Sequence, residues 1–411
     1  MHKINIYIKG VFVLCSLFFS LALQSQELES YIEEALTNSP EIQKFELQYK
    51  IVTEKINEVN TLPNTEIGVG YFVSEPETRT GAQRFKVSAK QMLPWFGTIT
   101  ARENYVSSLA DTKYEDIVIA KRKLIASVSQ SYYNMYAIKG KQRVLIENIK
   151  LLETYETLAL TSVEVGKASA VDVLRLQIRQ NELEQLHQVL AQNYLAEQTA
   201  FNKLLNRDKA IVVNTIEELR IPLVSNLLDS GNLALNPELT KYDKLYRSIE
   251  QSELLNQKES APNIGFGLDY IAVSERPNMS FSDNGKDIVM PMVTLSIPIF
   301  NKKYTSRTKQ NELRLQEITS QKQDRLNKLE ATLDKAINDR IATKIQYETQ
   351  TKNLKQANDA EDILIKSYET GTIDFNDVLD IQELQLKFQI NQIESIKKYY
   401  LQTTIINYLT I

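Results

Sequence analysis

Residues 165–177 read V-G-K-A-S-A-V-D-V-L-R-L-Q, and residues 370–382 read T-G-T-I-D-F-N-D-V-L-D-I-Q. Laid side by side without a gap, they set Gly166 against Gly371, Asp172 against Asp377 and Gln177 against Gln382. The register persists elsewhere. Ser39-Pro40-Glu41-Ile42 recurs as Asn236-Pro237-Glu238-Leu239, and Ile67-Gly68-Val69-Gly70 recurs as Ile264-Gly265-Phe266-Gly267. Leu93-Pro94-Trp95-Phe96-Gly97 recurs as Ile297-Pro298-Ile299-Phe300-Asn301. Matches in one order describe an internal duplication of about 200 residues, a period that means two structural halves rather than a short-repeat solenoid.

The matched glycines close the longest uninterrupted stretches. Residues 98–165 contain no proline and one glycine, Gly140; residues 302–370 contain neither. As continuous helix each would run roughly 100 Å, far beyond the globular mean of about 11 to 12 residues. Leu145, Ile149, Leu152, Tyr155 and Ala159 recur at three- and four-residue spacing, as do Leu326, Leu329, Leu333, Ile337, Ile341 and Ile345. Such spacing predicts coiled-coil packing. Glycine at 166 and 371 suits a left-handed helix end. Helix resumes near Asp172 and Asp377, whose carboxylates can cap the new N-termini. Each site is therefore a tight helical hairpin, with return helices 172–205 and 375–411.

The β signals lie between the leading and the long helices. Ile67, Val69, Tyr71 and Val73 alternate with Glu66, Gly68, Gly70 and Ser74; Phe85, Val87 and Ala89 alternate with Arg84, Lys86, Ser88 and Lys90. In the second half Val293, Leu295 and Ile297 alternate with Met292, Thr294 and Ser296. The pattern predicts four strands, 64–74, 83–93, 263–273 and 287–298, with exposed loops at 74–82 and 274–286. Runs of about 10 alternating residues have the length and pattern of membrane β-strands, and Trp95, Phe96 and Phe300 at their ends suit an aromatic belt. Lysines and Arg84 on the polar face are expected to line a lumen, since a charge facing lipid costs about 2 to 4 kcal/mol at the midplane. Four strands cannot close a barrel, and lipid excludes an open edge. Identical copies must complete it; three would give 12 strands over a tube of 12 helices.

The N-terminus reads as a targeting segment. Lys3 and Lys9 precede an apolar run from Val11 to Leu23 that is short for a membrane span. A signal peptide is expected over residues 1–22, with cleavage as late as 26. Leu14 before Cys15 argues against lipidation there. The mature chain would hold no cysteine and one histidine, His187, so no disulfide, zinc site or cysteine nucleophile is expected. No metal or cofactor site is expected, and the reading is of a non-enzyme. The formal net charge of −4, with no basic patch interleaved with aromatics, argues against nucleic acid.

Together these features resemble the TolC-type outer-membrane efflux family over the whole mature chain. The segment Gln91–Gly97 further resembles members that work with pumps of the resistance-nodulation-division type. The resemblance implies a mainly α fold with a small membrane β-barrel: a homotrimer spanning the outer membrane of a Gram-negative bacterium and reaching into the periplasm. Its halves would be residues 23–205 and 237–411, joined by an equatorial connector at 206–236. It implies a passive exit duct for small molecules or metal ions, working with a periplasmic adaptor and an inner-membrane pump. The adaptor would dock at Val165, Gly166, Thr370 and Gly371. Tyr368 and Asp172 match partners of the links that close the family's periplasmic aperture, and Asp377 and Asp380 match its acidic ring. Ile373 stands where the best-known member has a gating arginine. The duct of a protein-secretion machine and a non-channel periplasmic scaffold are the alternative readings.

Overall fold

A computed structural model describes residues 27–166, 169–222, 233–370, 372–373 and 375–410. The expected signal peptide lies outside these residues, as do Gly371 and part of the connector. The elements run α1 (27–38), α2 (Pro40–Val59), β1 (Glu66–Tyr71), β2 (Glu77–Thr78), β3 (Gly81–Leu93), α3 (Thr98–Glu164) and α4 (Ala170–Leu204). A short 3₁₀ turn (Leu233–Leu235) precedes α5 (Pro237–Glu259), β4 (Asn263–Ser274), β5 (Ile288–Ser296), α6 (Lys303–Glu369) and α7 (Phe375–Thr410). The long helices α3 and α6 have 67 residues each, without a break.

Duplicated residues start the duplicated elements. Pro40 and Pro237 occupy first helical positions, where the missing N–H costs nothing. Ser39 Oγ accepts a hydrogen bond from Ile42 N ahead of α2. Gly97 turns the chain into α3 with φ +81°. At the matching place before α6, Asn301 Oδ1 accepts from Lys303 N at 2.9 Å.

The chain divides into two compact units. The sheet unit comprises Lys44–Ile117 and Pro237–Arg325. Its strands are antiparallel in the order β1-β3-β4-β5, so the two duplicated hairpins join through β3 and β4. Four strands carry the sheet as expected. A fifth, the two-residue β2, pairs with the start of β3 inside the stretch read as a loop. Glu253 ties α5 to α6, accepting from Asn311 Nδ2 at 2.8 Å and Thr308 Oγ1 at 2.8 Å. Burial works against its charge, but these hydrogen bonds prevail and hold its carboxyl below the usual range.

The helical unit comprises Met1–Gln43, Val118–Asn236 and Leu326–Ile411. One core cluster joins α3, α4, α6 and α7 around Leu145, Leu152, Leu176, Phe375 and Val378. A second gathers Ala35, Tyr132, Met135, Phe201 and Leu205. The α3 row behaves as its spacing predicts. The α6 row does not: Leu329 and Leu333 are buried, yet Ile341 and Ile345 are exposed. Steps of four residues turn about 40° per step around a helix of 3.6 residues per turn. The buried line instead continues through Ala336, Arg340 and Thr343, alternating steps of three and four. The Arg340 guanidinium lies 5.9 Å from the Tyr399 ring centre, so its stem and plane are used as packing surface.

Residues 209–222 lie along these helices as irregular chain whose backbone groups find side-chain partners. Ile216 N donates to Tyr132 Oη at 3.0 Å and Leu219 N to Tyr136 Oη at 3.1 Å. Lys139 Nζ and Tyr194 Oη donate to Val213 O. Burial pushes the Tyr132 phenol up to about 12, so it stays protonated at every physiological pH.

Candidate functional site

Two regions carry the candidate chemistry: the helical hairpins and the face of the sheet.

At the first hairpin α3 ends at Glu164 and Gly166 adopts φ +72°. A Cβ at Gly166 would meet nothing within 4 Å, so glycine answers to backbone conformation there and not to crowding. Val165 is exposed. The new helix starts earlier than the sequence suggests. Ser169 is its N-cap and accepts from Val171 N at 3.2 Å, while Asp172 sits at the third helical position and accepts from Ser169 N at 3.3 Å. Asp172 is thus the reciprocal partner of a capping box rather than the cap itself.

At the second hairpin Ser367 O collects three hydrogen bonds, from Thr370 Oγ1, Thr372 N and Thr372 Oγ1. These satisfy a carbonyl at the end of α6. Asp377, the counterpart of Asp172, is exposed in the first turn of α7, and Asp380 is exposed one turn on. Phe375 is buried with its ring 4.8 Å from Tyr368 and 5.9 Å from Tyr155, both edge to face. Tyr155 Oη donates to Glu361, which also accepts from Gln385 Nε2 at 2.7 Å. Burial first, and then that carboxylate, push the Tyr155 phenol well above its usual range.

Tyr368 and Asp172 are both buried, but the structure does not join them. Asp172 serves its own helix, and Tyr368 Oη has no hydrogen-bond partner among the described residues. Between α4 and α7 the polar links are made by arginine. Arg175 Nη1 on α4 donates to Asn376 Oδ1 on α7. Arg179 bonds Glu182 at 2.9 Å and reaches to 3.8 Å from Glu383 on α7. A cavity of about 250 Å³ between them is lined by these residues and Asp380. The two arginines were not picked out from the sequence, although the signal is in the quoted stretch. Arg175 aligns with Asp380, so one duplicated position carries opposite charges in the two halves.

On the sheet, the strand registers bring the alternating residues together. Rows such as Val69↔Val87↔Tyr270↔Val289 and Ile67↔Ala89↔Leu268↔Pro291 put most of the apolar members of all four long strands on one face, with Ile271 and Ile288 on the other. Ile67, Val69, Phe266, Leu268, Val289 and Val293 are all exposed on it. The opposite face carries Gly68↔Ser88↔Asp269↔Met290 and Glu66↔Lys90↔Gly267↔Met292. There Asp269 is fully buried and paired with Lys86. At the far end of the strands, Arg79–Asp283 and Arg276–Glu77, each at 3.0 Å, tie the two loops together. No helix among the described residues is long and apolar enough to cross a membrane.

No protein-family model matches the chain, and no curated protein does. Solved structures do. The outer membrane protein VceC of Vibrio cholerae superposes with a TM-score of 0.73 at 15% identity, over 94% of this chain and 96% of that one. The MtrE outer membrane channel of Neisseria gonorrhoeae, in its open state, gives 0.72 at 15% identity over 93% and 88%. The CmeC outer membrane channel of Campylobacter jejuni gives 0.69 at 14% identity over 93% and 85%. The chain therefore has the fold of the TolC-type outer-membrane channels.

Proposed function

We propose that this protein is the passive outer-membrane exit duct of an efflux assembly in a Gram-negative bacterium. The observation that carries the reading is the exposed apolar face shared by four registered strands, Ile67 through Val293. In water such a face is a large aggregation-prone patch; in lipid it is the required surface. Strands β1 and β5 each pair on one side only among the described residues, and an open edge does not survive in hydrocarbon. A neighbouring copy supplies the missing partner, and three copies close a barrel of twelve long strands.

The helical hairpins form the periplasmic end in this reading. Val165, Gly166, Thr370 and Gly371 present the turns to a periplasmic adaptor, which couples the duct to an inner-membrane pump of the resistance-nodulation-division type. Small molecules or metal ions are the cargo. Asp377 and Asp380, exposed on α7, face the aperture and favour cations there. The closed state is held by Arg175 and Arg179 reaching across to α7, with Tyr368 and Asp172 shaping the buried ends of the hairpins behind them.

Reconstitution tests this directly. Purified protein should migrate as an oligomer that heating dissociates, and should conduct ions in planar bilayers. A monomer that neither inserts nor conducts would overturn the reading. Gly166→Val and Gly371→Val should reduce efflux in cells at unchanged levels of inserted protein.

A further inference from the structure

The chain leaves the sheet for its long helices through two matched connections, residues 94–97 from β3 to α3 and residues 297–302 from β5 to α6. Both expose aromatic rings where the strands end. Phe96 and Phe300 are 79% and 99% exposed, and Trp95 meets the Phe96 ring edge to face at 5.8 Å. Lysines flank both rings. Lys258, in the last turn of α5, has Nζ 3.6 Å from where a Cβ on Gly97 would stand. Lys302 and Lys303 follow Phe300 closely and are exposed. Glu259, next to Lys258, draws the helix ends together, bonding Arg102 of α3 at 3.4 Å and Arg307 of α6 at 3.0 Å. That carboxylate is committed to two arginines. Among the described residues none of the three lysines is within ion-pair distance of an acid. Helix electrostatics account for only one of them. Lys258 suits the C-terminal end of its helix, but Lys303 opens α6, where the dipole disfavours a cation and the first turn holds no acid.

We propose that Lys258, Lys302 and Lys303 bind the phosphates of anionic phospholipids, of the phosphatidylglycerol kind, at this rim of the sheet. The exposed apolar face of the strands continues into the rings through Leu295, Ile297 and Ile299, all exposed. Aromatic rings favour the boundary between hydrocarbon and headgroups. A lysine beside them can lay its stem on apolar surface and carry its charge to the level of the phosphates. Basic clusters at a membrane surface select anionic lipids by charge, whereas a zwitterionic headgroup brings an ammonium that offsets the attraction. A lipid also anchors itself through its chains against Phe96 and Phe300, which a free phosphate cannot do. That this rim lies at a bilayer surface rests on the duct reading; that lysines flank both exposed rings does not.

Trp95 is the only tryptophan in the chain, so intrinsic fluorescence reports on this rim. The full-length protein is reconstituted in vesicles of phosphatidylcholine with a minority of phosphatidylglycerol, prepared twice: with brominated chains on the phosphatidylglycerol, or on an equal amount of phosphatidylcholine. Surface charge is then the same, and only local enrichment differs. Brominated phosphatidylglycerol should quench Trp95 at least about twofold more strongly. Lys258→Gln/Lys302→Gln/Lys303→Gln should equalise the two, while Lys309→Gln, whose lysine pairs with Glu312, should keep the difference. Equal quenching in the native protein overturns the proposal, as does a difference that survives in the triple variant. If that variant fails to insert, Lys258→Gln and Lys302→Gln/Lys303→Gln carry the test separately: each should narrow the difference, and native-like values in both overturn the site. Inorganic phosphate at matched ionic strength should leave the preference standing; its loss would mean a free-phosphate site and overturn the lipid assignment. Conductance of the same vesicles separates the two readings. Equal quenching in a conducting channel sinks the headgroup site alone, and quenching by neither lipid without conductance sinks the site and the duct together.

Discussion

The two helical hairpins descend from one sequence pattern yet occupy different environments. In the first, Ala170 is exposed, Asp172 is buried within a capping box, and Gln177 is exposed, donating to Glu156 at 2.7 Å. In the second, the matching Phe375 and Gln382 are buried and Asp377 is exposed. Gln382 donates to Asn148 Oδ1 at 2.8 Å, and Asn148 in turn donates to Gln389. Helix α7 sends residue after residue into the core, whereas α4 leaves Val171, Leu174 and Ile178 exposed at helical spacing. Duplication preserved where the return helix starts, at Ala170 and at the matching Phe375. It did not preserve which face meets the core. The first hairpin keeps an unpartnered apolar row, and the second is anchored by aromatic packing and a buried amide network.

The largest test of this contrast is Phe375→Ala. Removing a fully packed phenylalanine costs about 3 to 5 kcal/mol, so amides at the ends of α6 and α7 should lose most of their hydrogen-exchange protection. The first hairpin carries alanine at this position and shares only the Tyr155 side of the packing, so its loss should be smaller. Equal loss at both hairpins would break the contrast.

A finer test pairs the matched glutamines. Gln382→Leu strands the Asn148 side-chain oxygen in the core, at a cost of about 1 to 3 kcal/mol. Gln177→Leu, at an exposed position, should stay within about 0.5 kcal/mol. Denaturant midpoints of the two variants measure the difference; similar shifts would mean that the two helices are equivalent after all.

The smallest free-energy effect expected concerns the two arginines that reach from α4 to α7. Arg175→Ala with Arg179→Ala removes exposed or half-buried links worth about 0 to 1 kcal/mol each. If the proposed gating holds, with these links confined to a closed arrangement, resting conductance in bilayers should nevertheless rise. Asp377→Asn with Asp380→Asn should instead lower cation preference. Unchanged conductance in the arginine variant would return those side chains to a merely structural role.

Much of this was legible in the sequence because it rests on periodicity. Alternation in 66–71 and 85–90 sets the sheet face, and the absence of proline in 98–164 sets the helix. The turn at Gly166 follows from its place between two helical phases. What could not be read depends on partners distant in sequence. The exposure of Ile341 and Ile345 reflects slow rotation of a row against its neighbours, which spacing alone does not locate. The choice of Ser169 over Asp172 as cap is a two-residue matter of helix start. The links made by Arg175 and Arg179 require α4 and α7 to be side by side.

The central claim is that the registered apolar face of the sheet meets lipid. Nitroxide labels on single cysteines test it in reconstituted membranes. Cysteines replace Val69, Val87 and Val293 on the apolar face, and Gly68, Ser88 and Thr294 on the polar one. The account predicts that the first set is relaxed by oxygen dissolved in the bilayer and shielded from a water-soluble nickel chelate, and that the second set behaves in the opposite way. Labels at all six positions reached equally by the aqueous chelate would contradict it.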